Sequence, residues 1–520
     1  MKSKFPWLKM LKRTDPELPF EPPIWMKDKS NGEYYHFQTE HERKMRQFVL
    51  ETADANARKL GVDRRAFMTS AMGMATTLWC VACSDDDKNP GKQPALCVPK
   101  EAMFDEDAAC ALVEGDQFIF DVQTHWFNPE DGKRFPESLD GLFGILYENA
   151  NEDDYIRGMF LESDTHLAVL TSWPGTTCPE DLTIPCGLPL ANESMANSRD
   201  KINQMAGNTQ RVVQHVQVLP NDLSGVDAQL DIMTRMHCER LAYGWKMYPG
   251  FASQSIDPRG TLGYMLTDPA ARQVIEHGLK LGLNRFNVHK GLPIAAFFRK
   301  EFNHPKDVGV VAKDYPDARF VIYHSGICSG YDGTNEAPAE GPYDPDDPDP
   351  KGTNALIRSL IDNGIGPNQN VYGEVGSAIN QKMQTDSIAA AHFFGKLMKY
   401  VGTDRVLWGT DCVIYGSPQG FIQWFRNLTI PEDMQTEFGY PPLDDTNKRK
   451  IFGLNAASLY GIDVEAKRCQ IASSALTLRR RDLDEHFGSH RWALRTPGGP
   501  KSWSEYVLES RQAAARGRPG

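Results

Sequence analysis

Six polar side chains able to bind a cation or move a proton each sit in or directly after a short apolar stretch of the sequence. They are Gln123, His125, Lys246, His289, His324 and Asp411. Imidazole nitrogens and carboxylate oxygens are common protein ligands of divalent cations, and the same groups transfer protons near neutral pH. Three imidazoles and a carboxylate that converge from separate strands can hold one divalent ion and leave a position for water. The pattern therefore indicates an enzyme with a single metal ion.

The sequence around these residues repeats a short β-branched apolar stretch, turn residues and a longer amphipathic stretch. This rhythm is typical of parallel strands joined by helices. It predicts strands at 117–126, 166–173, 211–219, 241–248, 284–290, 319–325, 370–376 and 405–411. Eight such units form an α/β (β/α)8 TIM barrel, whose active site lies at the carboxyl ends of the strands. A doubly wound open sheet is the alternative, although no glycine-rich phosphate loop follows the first strand.

Strand geometry also relates the residues of the first strand to one another. Residues two apart in a strand point to the same side, so Gln123 and His125 both face the barrel axis if either does. An isolated histidine is more often structural than a ligand. We therefore expect structural roles for His166, His215, His237 and His277.

Several segments, in this order, resemble the amidohydrolase-related family, and especially its branch with aminocarboxymuconate semialdehyde decarboxylase. They include DVQTHWF, GWKMYPG, NVHKGLP, HPKDVGVVAKDYPDARFVIYHSG, LWGTDCVIYGSPQ and NKRKIFGLNAASLYGID. The resemblance runs from about residue 118 to residue 463. It implies that His125, His289 and Asp411 bind the metal and that His324 is an acid/base or orients the bound water. Asp411 would also take a proton from that water.

The cofactor implied is one divalent ion, zinc in the first place, with manganese or magnesium as the other options. The family usually has His-x-His in the first strand, whereas this chain has Gln123 in the first of those positions. Gln123 either ligates a hard ion through its amide oxygen or only hydrogen-bonds a neighbour.

Three further residues are candidates for roles near the site. Lys246 is expected to pair with a substrate carboxylate, with a carboxylated lysine or a structural role at the barrel rim as alternatives. Trp126 is a candidate wall of the substrate pocket. Glu374 is a candidate second carboxylate facing the metal.

Two enzymatic functions use the same site. The first is hydrolysis of a C–N or C–O bond in a small molecule by metal-activated water. The second is non-oxidative decarboxylation of a small aromatic or unsaturated carboxylate. A third hypothesis, prompted by Gln123, is a barrel that has lost catalysis and binds a ligand.

Charge and length limit the partners and the organisation. The net charge of -12 provides no basic surface for nucleic acid, so the expected partner is a small-molecule substrate, with a homo-oligomer possible. A chain of 520 residues exceeds the usual barrel of about 250 residues. We predict an N-terminal extension at 1–94, the metal-dependent barrel at 95–465 and a C-terminal tail at 466–520.

The extension contains a segment that resembles a twin-arginine export signal at 64–83. Arg64 and Arg65 precede an uncharged stretch rich in Ala, Thr, Gly and Met. This predicts export by the twin-arginine machinery to a periplasmic or extracellular location. The alternatives are a cytoplasmic protein and an Ala-rich surface helix. Cys178 and Cys186 are either disulfide-bonded, which an oxidising compartment would permit, or two free thiols.

Overall fold

The computed structural model describes residues 21–26, 29–30, 35–36, 38–88, 93–128, 130–131, 150–176, 188–251, 260–292, 299–328, 340–379, 383–413 and 416–488. Cys178 and Cys186 lie outside these residues, so the disulfide stays a prediction.

The strands are short and, apart from a small N-terminal pair, parallel to their neighbours. They are β1 (Lys29–Ser30), β2 (Tyr35–His36), β3 (Phe120–Thr124), β4 (Leu167–Leu170), β5 (Val212–Gln214), β6 (Val216–Gln217), β7 (Trp245–Met247), β8 (Arg285–His289), β9 (Arg319–Tyr323), β10 (Val371–Glu374) and β11 (Val406–Leu407). Every predicted strand contains an observed one, and β5 and β6 are two parts of the third. The eight predicted strands are confirmed.

Backbone hydrogen bonds close these strands into a barrel. One set runs in the order β3, β4, β5, and the other from β6 through β7, β8, β9 and β10 to β11. The chain between β5 and β6 joins the sets, because His215 N donates to Leu170 O at 3.1 Å. On the opposite side Val122 N donates to Trp408 O at 3.0 Å, so the first strand pairs with the last. The TIM barrel is therefore confirmed, and the open-sheet alternative is wrong.

Helices connect the strands and extend the chain at both ends. They are α1 (Glu40–Leu60), α2 (Arg64–Met68), α3 (Ala71–Lys88), α4 (Glu106–Val113), α5 (Glu152–Ile156), α6 (Asn192–Met205), α7 (Val226–Cys238), α8 (Pro269–Lys280), α9 (Lys300–Asn303), α10 (Val308–Asp314), α11 (Thr353–Asp362), α12 (Ser387–Lys396), α13 (Gln419–Asn427), α14 (Glu432–Phe438), α15 (Asp445–Arg449), α16 (Asn455–Tyr460), α17 (Val464–Ala472) and α18 (Ala475–Phe487). Tighter turns Lys100–Met103, Pro305–Asp307, His324–Gly326 and Met383–Thr385 and wider, π-helical ones at Arg157–Leu161, Leu397–Gly402 and Lys450–Leu454 complete the set.

The N-terminal helices pack against the barrel rather than standing apart from it. Thr39 and Glu42 form a capping box that starts α1. Val49 of α1 and Leu78 of α3 are fully buried in the same hydrophobic cluster as Phe394 of α12. The segment predicted as a signal or a surface helix thus forms α2 and most of α3, and α3 is not a surface helix. Of the described helices, none has both the length and the apolar character needed to cross a membrane.

The chain after the barrel also returns to it. Arg480 of α18 binds Asp164 through its Nη2 at 2.7 Å, and Arg426 of α13 binds the other oxygen of Asp164 at 2.7 Å. Helices α1, α3 and α18 thus contact the barrel directly, and the division at residues 94 and 465 stays a prediction.

Candidate functional site

The predicted site residues lie at or just beyond the carboxyl ends of their strands. Gln123 is in β3 and His125 follows it, His289 ends β8, His324 follows β9 and Asp411 follows β11 by a few residues. Each of these side chains is fully buried. Because parallel strands of a barrel end at the same rim, chain positions almost 290 residues apart meet there.

His125 and Asp411 are in direct contact in the site. His125 Nε2 lies 2.8 Å from Asp411 Oδ1. The other ring nitrogen, Nδ1, lies 2.8 Å from the carbonyl oxygen of Thr171 and 2.9 Å from the hydroxyl of the same residue. Because a carbonyl oxygen only accepts, Nδ1 carries a proton and donates it, so Nε2 is the ring nitrogen that faces Asp411.

The contact between His125 Nε2 and Asp411 Oδ1 tests whether the site fits a cation. Nε2 of His125 has no hydrogen-bond partner among the residues the structure describes, although Asp411 Oδ1 is close. A ring nitrogen and a carboxylate oxygen at this distance need a positive charge between them, which either a proton on Nε2 or a bound cation would supply. His125, with its Nδ1 anchored on backbone, also has the usual second contact of a metal-ligating imidazole. The donors of His125 and Asp411 therefore fit a divalent cation.

The larger ligand set expected from the sequence is not assembled around this pair. Within the described ranges, no three His, Cys, Asp or Glu side chains form a group that could hold a metal ion. His289 packs its ring edge-on against His324, with centroids 4.7 Å apart, and beside Tyr248 at 5.2 Å. Burial and the charge of Lys246 hold the pKa of His289 well below its usual value, while Asp411 acts in the opposite direction. The ligand role of His289 stays a prediction.

Gln123 links the carboxylate of the site to a second imidazole. Its Nε2 donates to Asp411 Oδ1 at 2.8 Å and lies 3.4 Å from His324 Nε2. Its Oε1 is buried and has no hydrogen-bond partner in the described part of the chain. The amide nitrogen, not the oxygen that would bind a cation, thus faces Asp411. Of the two roles left open by the sequence, this geometry matches the hydrogen-bonding one.

Asp411 is held as a carboxylate by its neighbours. Although burial raises the pKa of this group, the adjacent His125 imidazole, His324 and the hydroxyl of Ser377 bring it below the usual range. Ser377 Oγ donates to Asp411 Oδ2. The backbone of Asp411 has a φ of 62°, in the left-handed region that side chains other than glycine rarely adopt. The surrounding contacts hold it in that conformation.

His324 is fixed through both its ring and its backbone. Its Nδ1 donates to Gly376 O at 2.6 Å, which leaves Nε2 as the acceptor that faces Gln123. Its backbone N–H donates to Glu374 Oε2 at 3.0 Å. A neutral imidazole oriented in this way can accept a proton at Nε2 and return it.

Two buried carboxyl groups of the site were underestimated from the sequence. Burial, with the charge of Asp411 adding to it, raises the pKa of Glu374 to about 8, although the N–H groups of His324 and Gly376 oppose the shift. Burial likewise raises the pKa of Asp121 to about 7, against hydrogen bonds from Thr410 and Gln123. Their places in predicted strands, at the end of β10 and within β3, could be read from the sequence. Their hydrogen-bond partners could not, because most of them lie in distant loops.

Lys246 is enclosed by aromatic rings inside the barrel. Its side chain is fully buried, and Nζ lies 3.2 Å from the centroid of the Tyr323 ring and 4.6 Å from that of Tyr248. Such contacts stabilise an ammonium group in a site with little water. Pairing with a substrate carboxylate stays a prediction for this residue.

The tryptophans near the site differ in what they contact. Trp173 packs edge-on against His125, with centroids 5.7 Å apart, and against Phe127 at 4.4 Å. Trp126 is 8% exposed, and its indole N–H has no partner within the described ranges. Trp173 thus adjoins the site directly, whereas the contribution of Trp126 to a substrate pocket stays a prediction.

Three of the four histidines expected to be structural have hydrogen-bond partners outside the site. His215 Nε2 is 2.6 Å from the hydroxyl of Tyr460, and its Nδ1 is 3.1 Å from that of Tyr323. His277 is 2.8 Å from Thr234 Oγ1 on the neighbouring helix, and His166 Nδ1 accepts from the backbone of Ile119 at 3.3 Å.

Comparison with known proteins identifies one family. A family model described as Amidohydrolase matches residues 202–462, which is half of the chain and includes β7 to β11 with four of the six site residues. No curated protein matches the chain.

Solved structures resemble the chain only distantly. A 2,6-dihydroxybenzoate decarboxylase is 15% identical, covers 66% of this chain and 99% of its own, and has a TM-score of 0.38. An amidohydrolase from Bifidobacterium longum subsp. infantis is 13% identical, with 67% and 100% covered and a TM-score of 0.34. A 4-oxalomesaconate hydratase from Rhodopseudomonas palustris is 13% identical, with 71% and 100% covered and a TM-score of 0.34. At such TM-scores these similarities carry no weight for the function.

Proposed function

Because the chain belongs to the amidohydrolase family, we propose that it is a metal-dependent hydrolase acting on a C–N or C–O bond of a small substrate. The family membership makes it an enzyme of hydrolase or lyase type. The reaction, the metal dependence and the substrate are the proposal.

The observation that carries the proposal is the pair of anchored imidazoles around one carboxylate. His125 and His324 each donate Nδ1–H to a backbone carbonyl oxygen, of Thr171 and Gly376 respectively. Their Nε2 atoms therefore face Asp411 and Gln123. A carboxylate and an imidazole that can move protons, beside a second imidazole that can hold a cation, are suited to activating water and protonating a leaving group.

The roles of the chain's own residues follow from their protonation. Asp411, whose pKa is lowered, is ionised at neutral pH and can take a proton from the attacking water. His324, neutral and accepting at Nε2, can carry that proton to the leaving nitrogen or oxygen. Gln123 donates to Asp411 and so holds the carboxylate in place without competing for the proton.

A divalent cation would be held by His125 and Asp411, with His289 as the further ligand predicted from the sequence. Such an ion supplies Lewis acidity, which polarises the scissile carbonyl and makes water acidic enough to react near pH 7. Zinc matches an imidazole and carboxylate set, while manganese or magnesium would favour the oxygen ligands.

Lys246 and Trp126 are proposed to bind the substrate. An ammonium group among Tyr rings, without exposure to bulk solvent, attracts a carboxylate strongly because water screens it little. This favours substrates that carry a carboxylate beside the bond that is cleaved.

The test is turnover of lactones, amides and aromatic carboxylates by protein loaded with zinc or manganese, with metal content measured in parallel. Ester or amide cleavage supports hydrolysis, whereas release of carbon dioxide from the aromatic acids indicates decarboxylation at the same site. His324→Gln should abolish turnover, and His277→Gln, which changes a histidine outside the site, should not. A protein that binds members of the panel but converts none of them would be a ligand-binding barrel.

We also propose that residues 64–83 direct export through the twin-arginine machinery. In the folded chain α3 is packed against the barrel, so the signal would be recognised before this helix docks. Cell fractionation of the chain and of an Arg64→Lys/Arg65→Lys variant tests the proposal. Equal exported amounts of the two would contradict it.

A further inference from the structure

We infer that Glu374 and the turn after it, residues 374–377, position both proton-handling groups of the site, His324 and Asp411. The inference rests on the proposed function, since only that function gives these two groups their chemical roles. Glu374 is a positioning residue in this proposal, and it does not itself contact the substrate.

The side-chain carboxyl group of Glu374 holds the backbone on either side of the site. Its Oε2 accepts from the N–H of His324 at 3.0 Å, and its Oε1 accepts from the N–H of Gly376. The carbonyl oxygen of Glu374 accepts from the hydroxyl of Ser325 at 2.8 Å. Glu374 thus makes two of the contacts that fix residues 324 and 325.

These contacts hold a conformation that the chain would otherwise avoid. The φ angles of His324 and Ser325 are 62° and 48°, in the left-handed region that costs a residue with a side chain about 1 kcal/mol or more. Two consecutive residues keep such angles only where neighbouring groups hold them. Glu374 contacts both of them, so the direction in which the His324 side chain leaves the backbone depends on it.

The same turn then reaches the reactive groups themselves. The carbonyl oxygen of Gly376 accepts the Nδ1–H of His324 at 2.6 Å, and the hydroxyl of Ser377 donates to Oδ2 of Asp411. Three residues of this four-residue turn therefore fix the ring of His324, its backbone and the carboxylate of Asp411. A displacement of this turn would move the proton acceptor and the proton carrier together.

The turn is closely packed against the neighbouring side chains at Gly376. A Cβ on Gly376 would lie 2.4 Å from Gln123 Oε1 and 2.6 Å from Glu374 Oε1. A side chain there would have to displace the end of the Gln123 or Glu374 side chain, so the turn lies close to both of them.

Both side-chain oxygens of Glu374 accept hydrogen bonds from backbone N–H groups. A substitution that keeps the volume of the side chain and removes one of these acceptors therefore tests the contacts themselves. In Glu374→Gln one oxygen is replaced by an NH2 group, which cannot accept from a backbone N–H. We expect kcat of the metal-loaded enzyme to fall about 100-fold, the loss typical of a displacement of about 1 Å, with KM little changed. Glu162→Gln, a glutamate that is 6% exposed and lies outside the site, is the matched control and should keep its kcat.

A second readout does not depend on knowing the substrate. Nitrogen-15 NMR of histidine-labelled protein reports which ring nitrogen carries the proton, and His324→Gln assigns the signal. In the wild type we expect His324 as the Nδ1–H form in slow exchange with solvent. In Glu374→Gln we expect a mixture of both tautomers or faster exchange, while the signals of His215 stay unchanged and so report an intact barrel.

The outcomes separate this inference from the proposed function. An unchanged His324 signal together with unchanged kcat in folded Glu374→Gln overturns the inference. A changed His324 signal supports it even if the wild type converts nothing in the panel, in which case the proposed function fails alone. If Glu374→Gln does not fold, Ser377→Ala tests the other end of the turn. A lower kcat with an unchanged His324 signal supports the inference, and an unchanged kcat overturns it.

Discussion

His125 Nε2 lies 2.8 Å from Asp411 Oδ1, although the two residues are almost 290 positions apart in the chain. Both side chains are fully buried, so bulk water screens the interaction between them only weakly. The distance links the two predicted metal ligands that the structure does bring together. It also leads to the first prediction.

Asp411→Asn should lower kcat/KM by about 10²- to 10⁴-fold, because an amide cannot take a proton from water. It should also reduce metal bound per chain after dialysis, since one of the two converging donors becomes neutral. Activity assays and metal analysis measure both effects. Asp222→Asn, which changes a buried aspartate away from the site, is the control. Full activity of Asp411→Asn would exclude a proton-accepting role for this residue.

Gly409→Ala should destabilise the fold by about 1–3 kcal/mol, the usual cost of overpacking a core. The added Cβ would lie 1.8 Å from Glu374 Oε1, and so would push the carboxylate away from the turn that it holds. Urea unfolding measures the free energy. Gly341→Ala adds the same methyl group where nothing lies within 4 Å, and should be nearly neutral. Equal stabilities of the two variants would contradict the packing described around Glu374.

The stability of the chain should fall in acid partly through Asp164. Burial opposes ionisation of this carboxyl group, but Arg426 and Arg480 outweigh it and lower its pKa below the usual value. A group with a lowered folded pKa stabilises the protein above its unfolded pKa of about 3.9, and this contribution is lost as the pH falls towards the folded pKa.

Asp164→Asn should therefore cost about 3 kcal/mol at pH 7 and little at the lowest pH at which the protein remains folded. Urea unfolding across a pH series checks the difference. Asp116, which pairs with Arg449 on the surface with a side chain 76% exposed, is the matched control, since exposed pairs are worth about 1 kcal/mol or less. A cost for Asp164→Asn that is independent of pH would contradict the charge-based explanation.

Leu78→Ala in α3 should cost about 2–5 kcal/mol, as expected for a fully buried leucine. Leu478→Ala removes the same atoms from a side chain that is 47% exposed, and should cost much less. Urea unfolding measures both. The comparison decides whether α3 is part of the folded enzyme, as its packing indicates, or separates from it in solution. Similar small effects for both leucines would favour separation.

The strands could be predicted because each leaves a local pattern in the sequence. A stretch such as residues 319–325 is β-branched and apolar up to a polar residue at its end, and a parallel barrel requires this pattern. The burial of α3 was not predicted, because its Ala, Thr, Gly and Met content is also typical of a weakly apolar signal segment. The surface that covers this helix is distant in sequence, so its burial leaves no local pattern.

The site could be predicted in part for a similar reason. His125, His324 and Asp411 are recognisable from their residue type and their place after a strand. Their supports are not, since Thr171 and Gly376 act through backbone carbonyl oxygens that carry no signal in the sequence. Ser377 contributes only a hydroxyl group, a common one in any sequence. Its role depends on the position of Asp411, whose left-handed backbone the sequence does not reveal.

The hydrogen bonds that join the first strand to the last run directly through the site. Asp411 N donates to Gln123 O at 2.9 Å, and His125 N donates to Cys412 O at 2.7 Å. Under the proposed function, the hydrogen bonds that close the barrel also assemble its catalytic groups. A partly folded intermediate lacking either end of the barrel would be inert, and the recovery of turnover during refolding would report the moment of closure.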